Sequence, residues 1–528
     1  MVTPVTTKDL AARYGDAYKW LVTAAVLLGL TAMVGSATIV NVAMPDIMGE
    51  FGLGQDQAQW LSTAFLASMT AAMLASTWTV EALGSRGAYI LTLVVFILGS
   101  MLASFSPNDT VLIFARVAQG TAAGVAQPLG MVAIFQAFPA DRRGTAMGIY
   151  GVGVVLAPAL GPCVGGMLID HYSWRYVFAV AVPLCIPAIL LAWMFLPTRG
   201  VAVRRSFDWL GFLLLTTAIA TFLTALANGQ RIGWDSTFVD GNFALAAITL
   251  VGFVVREGRA PTPILALDVF LNPRFLAASI VAFSLGMGLY GSTYLVPLFV
   301  QTIQGYMPTN SGLLLLPGGL ALGVVIPFAG RLSDKVAPHL LILLGLALFG
   351  ASNVLMRDAD VSTEFWTFAG WLILGRAGLG FILPSLNSGA LRVLDQRLIS
   401  HGAGAVNFMR QLGGAVGVNL LSVYLERQTT FYAGEFNALQ TGTAADTNAL
   451  HRIAMALGRA GLADNAHVAL RSREAYRFLS RMIEAQAGIL GYRESFLFVG
   501  VVFLAALVPA WFMRPKRHVP ANPAGEAR

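Results

Sequence analysis

The sequence predicts an all-α integral membrane protein, and two observations carry this prediction: the apolar composition and the length of the apolar runs. Apolar residues make up 56% of the 528 residues and charged residues only 12%, with a mean hydropathy of +0.70. A soluble protein carries about 25% charged residues. A helix needs about 20 predominantly apolar residues to cross a bilayer, and about fourteen runs of roughly this length follow one another along the chain.

The predicted spans fall into two groups of six with a pair between them. We place them at 20–44, 60–80, 88–105, 111–135, 145–168, 174–196, 209–227, 243–255, 275–303, 312–329, 340–356, 365–386, 402–425 and 496–513. These boundaries predict a cytoplasmic N-terminus at 1–19, an N-terminal six-helix bundle at 20–197, a linker with two inserted helices at 198–274, a C-terminal six-helix bundle at 275–514 that includes an exterior loop at 427–493, and a cytoplasmic tail at 515–528.

A weak internal repeat supports the division into halves. Arg116 and Gly120 on the fourth span are echoed by Arg376 and Gly380 on the twelfth. The connections after the second and tenth spans match at a similar offset. In transporters built from paired halves, the substrate site lies near the membrane midplane between them.

Basic residues indicate the orientation of the chain. Connections after even-numbered spans carry arginine repeatedly, whereas the short connections after odd-numbered spans hold only Arg231 and Arg357. Because lysine and arginine are retained on the cytoplasmic side, both termini are predicted to be cytoplasmic. The net charge of +7 is therefore a topology signal, and we do not expect nucleic-acid binding.

The histidines and cysteines predict neither a metal site nor a catalytic cluster. All six histidines lie in or beside connections, and the two cysteines fall inside spans, so no disulfide framework is implied. A glycine-rich phosphate-binding loop with a lysine is also missing from the sequence. We expect no cofactor and no enzyme activity, and the sequence favours transport driven by an ion gradient over a membrane-embedded enzyme.

Small residues and prolines recur on the fifth span at helical spacing. The positions are Gly153, Ala157, Pro158, Gly161, Pro162, Gly165 and Gly166. The small residues at every fourth position share one helix face and let a neighbouring backbone approach closely. The prolines remove backbone donors and bend the helix. Close packing without a further role is the simpler interpretation of the same pattern.

Three arginines are the ionisable residues that lie deepest in the predicted spans: Arg116, Arg376 and Arg410. An arginine at the bilayer centre costs about 2.5–3.5 kcal/mol on insertion scales, so it normally faces the bundle interior. Arg410 shares a helical face with Asn407 and Gln411. This polar patch either binds substrate or links helices.

Aromatic and thioether side chains form a stripe on the ninth span and suggest a surface for flat, apolar molecules. Phe283, Met287, Tyr290 and Tyr294 recur there at helical spacing. Helix packing or lipid contact is the more common role of such a stripe. Further polar candidates for substrate binding are Asn41, Gln127 and Asn387.

Five motifs in the same order resemble a known family. They are TIVNVAMP at 38–45, RVAQGTAAG at 116–124, GVVLAPALGPCVGG at 153–166, SWRYVF at 173–178 and NFMRQLGGAVG at 407–417. The chain is similar over nearly its whole length to the fourteen-span drug:proton antiporters of the major facilitator superfamily, and most similar to the EmrB-like permeases.

The resemblance implies a function and a location. Such proteins export amphipathic or lipophilic organic compounds across the inner membrane by proton-coupled alternating access. Within the motifs, it implies that Arg116 and its neighbour Gln119 assist proton movement, and that the fifth span seals one side of the pathway. It also implies that a periplasmic membrane-fusion adaptor docks on the 427–493 loop. The alternative is that amphipathic helices of this loop fold back on the permease or lie on lipid. Uptake by a proton-coupled symporter is the alternative, which a flux measurement would decide.

One departure from the family pattern concerns the coupling site. The first-span motif usually carries an aspartate where this chain has Ser36, so proton coupling must use a carboxylate near a helix end or another ion. Glu81 and Asp46 are the nearest candidates. The resemblance further implies that Glu81 and Asp334 contact the basic ends of neighbouring helices at an inner gate. Helix capping at the membrane surface is the competing interpretation for Glu81 and Asp334, and an exposed loop acid is the competing interpretation for Asp46.

Overall fold

The computed structural model describes residues 7–53, 60–198, 207–261, 263–306, 308–438, 452 and 468–514, and within these ranges every regular element is helical. The helices are α1 (Thr7–Tyr14), α2 (Tyr18–Phe51), α3 (Trp60–Ser104), α4 (Asp109–Ala137), α5 (Arg143–His171), α6 (Tyr176–Ala179), α7 (Val182–Phe195), α8 (Trp209–Ile232), α9 (Thr237–Glu257), α10 (Asp268–Leu271), α11 (Pro273–Thr302), α12 (Pro308–Lys335), α13 (Pro338–Met356), α14 (Phe365–Arg392), α15 (Ile399–Ala438), α16 (Val468–Ala505) and α17 (Leu507–Phe512). The predicted all-α class is confirmed for the described residues.

Within the described residues, ten helical segments are long and apolar enough to cross a membrane. One of them, α3, has 45 residues and would be about 68 Å long at 1.5 Å per residue, more than twice the thickness of a hydrocarbon core. It is broken at Gly84, where φ is 73° and ψ is 163°, a conformation open essentially only to glycine. The second and third predicted spans lie on either side of this break. The total of fourteen spans stays a prediction.

Side-chain caps fix where several helices begin. The Asn108 side chain accepts a hydrogen bond of 2.9 Å from the amide of Val111 at the start of α4. Asp208 accepts one of 3.1 Å from Gly211 at the start of α8. These oxygens satisfy amide groups that have no partner within the first helical turn, so the chain can turn between spans without leaving amide donors unpaired.

The helices pack as two groups with a pair at the side. The first group contains α2 to α5 and α7, and the second contains α11 to α16. Between them in sequence, α8 and α9 pack chiefly on each other, and α8 also contacts α3 and α15. The groups meet where α5 contacts α12 and α14, and where α15 contacts α3 and α4. The two helices at the position of the expected inserted pair thus lie beside the main bundle and make few contacts with it.

The SWRYVF motif has a structural role at the far end of α2. Trp174 donates a hydrogen bond of 2.6 Å from Nε1 to Glu50 Oε2, and Arg175 Nη1 lies 2.7 Å from Glu50 Oε1. These two donors hold the pKa of the Glu50 carboxyl below its usual range, because both favour the charged form. The motif therefore ties the corner between α5 and α6 to the end of α2.

Candidate functional site

Arg116 is completely buried on α4 and is held by neutral acceptors. Its Nε donates to the Leu61 carbonyl at 3.0 Å, and its Nη1 donates to the Ser36 carbonyl at 3.1 Å and to Gln119 Oε1 at 3.0 Å. The guanidinium carbon lies 4.1 Å from the centroid of the Phe65 ring. Carbonyl dipoles and an aromatic face therefore replace a carboxylate as the surroundings of this charge.

Gln119 connects the Arg116 cluster to the third predicted span, and one nitrogen of Arg116 has no partner among the described residues. Gln119 Nε2 donates to Ser100 Oγ at 2.9 Å, which links the two halves of α3 to α4. Arg116 Nη2 is buried and has no hydrogen-bond partner within the described part of the chain. A buried donor without a partner costs about 1–3 kcal/mol. One donor of this guanidinium therefore has no acceptor among the described residues.

Glycines in RVAQGTAAG allow this burial. A Cβ built on Gly120 would collide with the Phe65 carbonyl oxygen, and one on Gly124 would collide with the Met69 carbonyl oxygen. These contacts place α4 directly against the backbone of α3. The close approach brings Arg116 within reach of the carbonyls that it binds.

A polar network on α15 connects the two helix groups. Arg410 Nη2 donates to Asn407 Oδ1 at 2.6 Å, and Asn407 Nδ2 donates to the Met131 sulfur at 3.1 Å. The Tyr150 hydroxyl lies 3.5 Å from Asn407 Oδ1 and donates to the Gln127 carbonyl at 3.3 Å. The network therefore runs from α15 to α4 and α5.

The predicted stripe on α11 faces α15. A Cβ built on Gly413 would collide with the Phe283 carbonyl, one on Gly414 with the Tyr290 ring, and one on Gly417 with the Met287 side chain. The glycines of NFMRQLGGAVG therefore allow this face of α11 to pack closely against α15. The stripe thus has a packing role.

Two tyrosines on α11 also make polar contacts. The Tyr290 hydroxyl donates to Gln411 Oε1 at 3.0 Å, and the Tyr294 hydroxyl donates to Ser422 Oγ at 3.3 Å. Tyr290 is nevertheless 37% exposed. Part of this residue is thus accessible although its hydroxyl is bound.

Arg376 is the half-buried member of the three arginines. Its Nη2 donates to Thr293 Oγ1 on α11 at 3.3 Å, and a Cβ on Gly318 would lie 3.0 Å from its Cγ. Within the described residues, no carboxylate lies within the 4.0 Å limit of an ion pair with Arg376. Its guanidinium is thus positioned by packing against α12 and by one hydroxyl.

Small residues of α5 contact two different helices. A Cβ on Gly153 would collide with Leu27, one on Gly161 would lie 2.7 Å from Thr38 Oγ1, and one on Gly165 would lie 2.8 Å from Ile39 Cγ1. These glycines pack on α2. The side chains of Ala157, Pro158 and Pro162, and position Gly166, lie outside what the structure describes.

Nearer its start, α5 contacts α12 of the other helix group. A Cβ on Gly144 would lie 2.5 Å from the Gly330 carbonyl oxygen, and one on Gly148 would lie 3.0 Å from the Ile326 carbonyl oxygen. The two backbones therefore touch directly. The later glycines of α5 thus pack within its own helix group, and its earlier glycines pack against the other group.

Asp334 closes the same contact at one end of the bundle. Its carboxylate accepts hydrogen bonds from the Gly144 amide at 2.5 Å, the Thr145 amide at 2.9 Å and the Thr145 hydroxyl at 2.7 Å. Arg392 Nη2 lies 3.2 Å away. A carboxylate at a helix N-terminus is favoured by the free amides and the helix dipole.

A cavity of about 480 Å³ lies at this end and contains Glu81 in its wall. We call this end, which holds the basic residues Arg142, Arg331, Lys335, Arg392 and Arg397, the arginine-rich end. The wall also includes the following residues of α2, α3, α4 and the start of α15: Tyr18, Ser76, Thr77, Gln136 and Ser400. Its volume lies within the range of small-molecule pockets.

Among the described residues, no hydrogen bond joins one of the remaining polar candidates to another. Asp46 is exposed on α2. Gln127 Oε1 and Asn387 Nδ2 are buried without a partner among the described residues. The side chain of Asn41 lies outside the described residues. Among the described side chains, the structure therefore joins Arg116 with Gln119, Asn407 with Arg410, and Tyr290 with Gln411.

Sequence reasoning missed two groups of residues. Tyr150 is a polar side chain in an otherwise apolar part of α5, which could have marked it. Asp208 and Glu257 are buried acids at the ends of α8 and α9: Asp208 Oδ2 lies 3.0 Å from Arg256 Nε, and Glu257 accepts a hydrogen bond of 3.3 Å from the Ile264 amide. They form a clamp at the base of the inserted pair.

Comparison with known proteins decides the family. The model of the Major Facilitator Superfamily matches residues 26–418. The chain belongs to this superfamily. It is 28% identical to the uncharacterized MFS-type transporter YhcA of Bacillus subtilis (strain 168), covering 93% of this chain and 92% of that protein. It is also 28% identical to the multidrug resistance protein B homolog of Mycobacterium tuberculosis (strain ATCC 25618 / H37Rv), covering 93% and 89%.

Further relatives and solved structures agree with this assignment. The chain is 28% identical to the fatty acid resistance protein FarB of Neisseria gonorrhoeae, covering 96% of this chain and 97% of that protein. The fold is similar to that of the human organic anion transporter MFSD10, with a TM-score of 0.60 and 13% identity over 94% of this chain and 99% of that one. This superfamily protein is a multi-pass transporter of small molecules across a lipid bilayer.

Proposed function

We propose that the protein is a secondary active exporter of amphipathic or lipophilic organic compounds that exchanges them for protons by alternating access. One observation carries this proposal: the two helix groups meet through separable contacts at the arginine-rich end. The Gly144–Gly330 and Gly148–Ile326 approaches and the Asp334 hydrogen bonds all join α5 to α12 there. Rocking of one bundle against another requires contacts that can be broken and remade.

The orientation is also proposed. The basic residues of the arginine-rich end support its placement in the cytoplasm, with both termini on that side of the inner membrane. The contacts at Asp334 then close the pathway toward the cytoplasm. The described conformation would accordingly be the one in which the central polar residues communicate with the exterior.

The relatives support export as the direction of transport. The name of the Mycobacterium tuberculosis relative refers to multidrug resistance, and that of the Neisseria gonorrhoeae relative to fatty acid resistance. Resistance to a compound is commonly achieved by removing it from the cell. Uptake by proton symport is the alternative, and nothing in the described contacts favours it.

Proton coupling is assigned to side chains near helix ends and to the Arg116 cluster. Glu81 lies in the wall of the cavity at the arginine-rich end, Asp46 is exposed at the opposite end of the first group, and Arg116 with Gln119 lies buried between them. A buried cation raises the cost of a second positive charge nearby. Arg116 would therefore make proton binding and release sensitive to small changes in helix position.

Docking of a periplasmic membrane-fusion adaptor on 427–493 remains part of the proposal. Residues 439–451 and 453–467 of this loop lie outside the described residues. The described parts of the loop are helical: they extend α15 to Ala438 and form the first part of α16 from Val468.

The proposal is tested by flux in inside-out vesicles. Vesicles containing the protein are incubated with a panel of lipophilic dyes, and a matched set is preloaded with the same dyes, with and without an imposed proton gradient that is acidic inside. Export predicts uptake into these vesicles that depends on the gradient. Asp334→Asn should reduce uptake, whereas the exposed matched variant Asp395→Asn, at the same end, should not. Gradient-driven loss of dye from the vesicles would instead favour the symporter.

A further inference from the structure

We propose that the transported compounds are organic anions whose acidic group binds Arg376 beside Tyr290 and Thr293. This inference deepens the exporter proposed above and rests on it. It begins from the charge balance of the membrane interior, where the described residues place three guanidinium groups and pair none of them with a carboxylate.

In every described ion pair the basic residue lies at a helix end or in a connection. Examples are Asp334 with Arg392, Glu50 with Arg175 and Asp208 with Arg256, and no described ion pair involves an arginine in the middle of a span. Burying a positive charge at membrane depth is costly, and such residues normally pair or mark a pathway. An interior with three unpaired cations is therefore electropositive and favours an anion.

Two of the three guanidinium groups supply this potential without reaching a ligand directly. Arg116 is 0% exposed and Arg410 is 5% exposed. Arg410 is held by Asn407 and Arg116 by Ser36, Leu61 and Gln119. In a low-dielectric interior, such charges act over longer distances than they would in water.

Arg376 differs from the other two arginines because it is only half-buried and most of its N–H donors have no described acceptor. A guanidinium has five N–H donors, and the described contacts of Arg376 use one of them, in a 3.3 Å hydrogen bond to Thr293 Oγ1. Thr293 is itself exposed, although it lies well inside α11. The planar fork of arginine matches the two oxygens of a carboxylate or sulfonate.

Tyr290 supplies a surface for the apolar part of the same compound. It lies three residues before Thr293 on α11, which places both on one helical face. Its hydroxyl is bound to Gln411, so the exposed 37% of the residue offers mainly ring surface. An aromatic acid would thus place its charge on Arg376 and its ring near Tyr290.

An aromatic ring also attracts cations, which makes an organic cation the rival ligand. Repulsion from Arg376 opposes that outcome, because no described carboxylate lies within ion-pairing distance to neutralise it. Two probes with one ring system and opposite permanent charges separate the possibilities: naphthalene-1-sulfonate and trimethyl(1-naphthyl)ammonium.

Equilibrium binding to the purified full-length protein is measured for both probes, together with their gradient-driven uptake into proteoliposomes. We expect the sulfonate to bind and to be transported, and the ammonium compound to bind at least about ten-fold more weakly. Arg376→Gln should weaken sulfonate binding about ten-fold or more, and Arg376→Lys less, since lysine keeps the charge without the fork. The control Arg331→Gln removes the same charge from an exposed position on α12 and should change nothing.

The outcomes separate this inference from the exporter itself. Gradient-driven transport of the ammonium compound without the sulfonate would overturn anion selectivity and leave the exporter intact. Equal sulfonate affinity in the wild type and Arg376→Gln would overturn the assigned residue. If Arg376→Gln does not fold, Arg376→Lys and the charge preference of the wild type still decide, since a wild type that prefers the cation contradicts the inference.

Discussion

Asp334→Asn should weaken the closed contact between α5 and α12 while leaving each helix group intact. The wild-type carboxylate accepts three hydrogen bonds from Gly144 and Thr145 and lies beside Arg392. Asparagine keeps one acceptor oxygen. Its NH₂ group replaces the second carboxylate oxygen and cannot accept hydrogen bonds, so the contacts that this oxygen made, about two of them, are lost.

The size of the effect follows from these contacts. A hydrogen bond to a charged group contributes about 1.5–3 kcal/mol, and the Asp334 side chain is only 10% exposed, so we take the lower value for each. Two lost contacts then destabilise the closed state by about 3 kcal/mol. Since about 1.4 kcal/mol is a factor of ten, the ratio of closed to open protein falls about 100-fold. A population of about 99:1 would approach 1:1.

Pulsed electron paramagnetic resonance measures this shift. Spin labels on the exposed residues Ala140 and Lys335 report the distance across the contact in a protein whose two cysteines are replaced. We expect Asp334→Asn to add a longer distance, and the exposed variant Asp395→Asn to leave the distribution unchanged. A distribution identical to the wild type in Asp334→Asn would refute the assignment of Asp334 as a contact that controls closure.

Three further changes test the interior and the coupling site. Gly161→Val should abolish transport while the amount of protein in the membrane stays nearly normal, because even a Cβ at this position would lie 2.7 Å from Thr38 Oγ1. Full transport activity of this variant would contradict close packing as a requirement. Arg116→Ala should lose transport, measured in vesicles, whereas Arg116→Lys retains some; equal activity of all forms would make Arg116 dispensable. Asp46→Asn or Glu81→Gln should uncouple transport from the proton gradient while substrate binding persists; a normal response in both variants places coupling elsewhere.

The helices could be predicted from the sequence because each span is a local property. Length and hydropathy identify runs such as 365–386, which lies within the observed Phe365–Arg392 helix. The continuity of α3 could not be predicted, since the connection after the second span reads as a loop. It is helical on both sides of Gly84, and only the positive φ of that residue marks the break.

The site was predicted in part, because periodicity identifies a helical face but not the partner of that face. Asn407 and Arg410 were expected to share a face, and they are hydrogen-bonded. Their link to Tyr150 joins residues 257 positions apart, and no spacing rule encodes such a contact. The same limit concealed the acceptors of Arg116, which are mostly backbone carbonyls and have no sequence signal.

Ser36→Asp tests whether the Arg116 cluster lacks an anionic partner. The carbonyl of Ser36 already lies 3.1 Å from Arg116 Nη1, and Arg116 Nη2 is buried without a described acceptor. A carboxylate at this position should satisfy that donor and stabilise the protein by about 1.5–3 kcal/mol, the value of a hydrogen bond to a charged group. Thermal unfolding in detergent measures the change against Ser36→Asn, which has nearly the same shape without the charge. Equal stability of the two variants would mean that the Arg116 charge is already satisfied by its carbonyls and by the Phe65 ring.

Sulfonate binding gives a second readout of the same substitution. Because the new carboxylate would lower the positive potential of the interior, sulfonate binding should weaken in Ser36→Asp but not in Ser36→Asn.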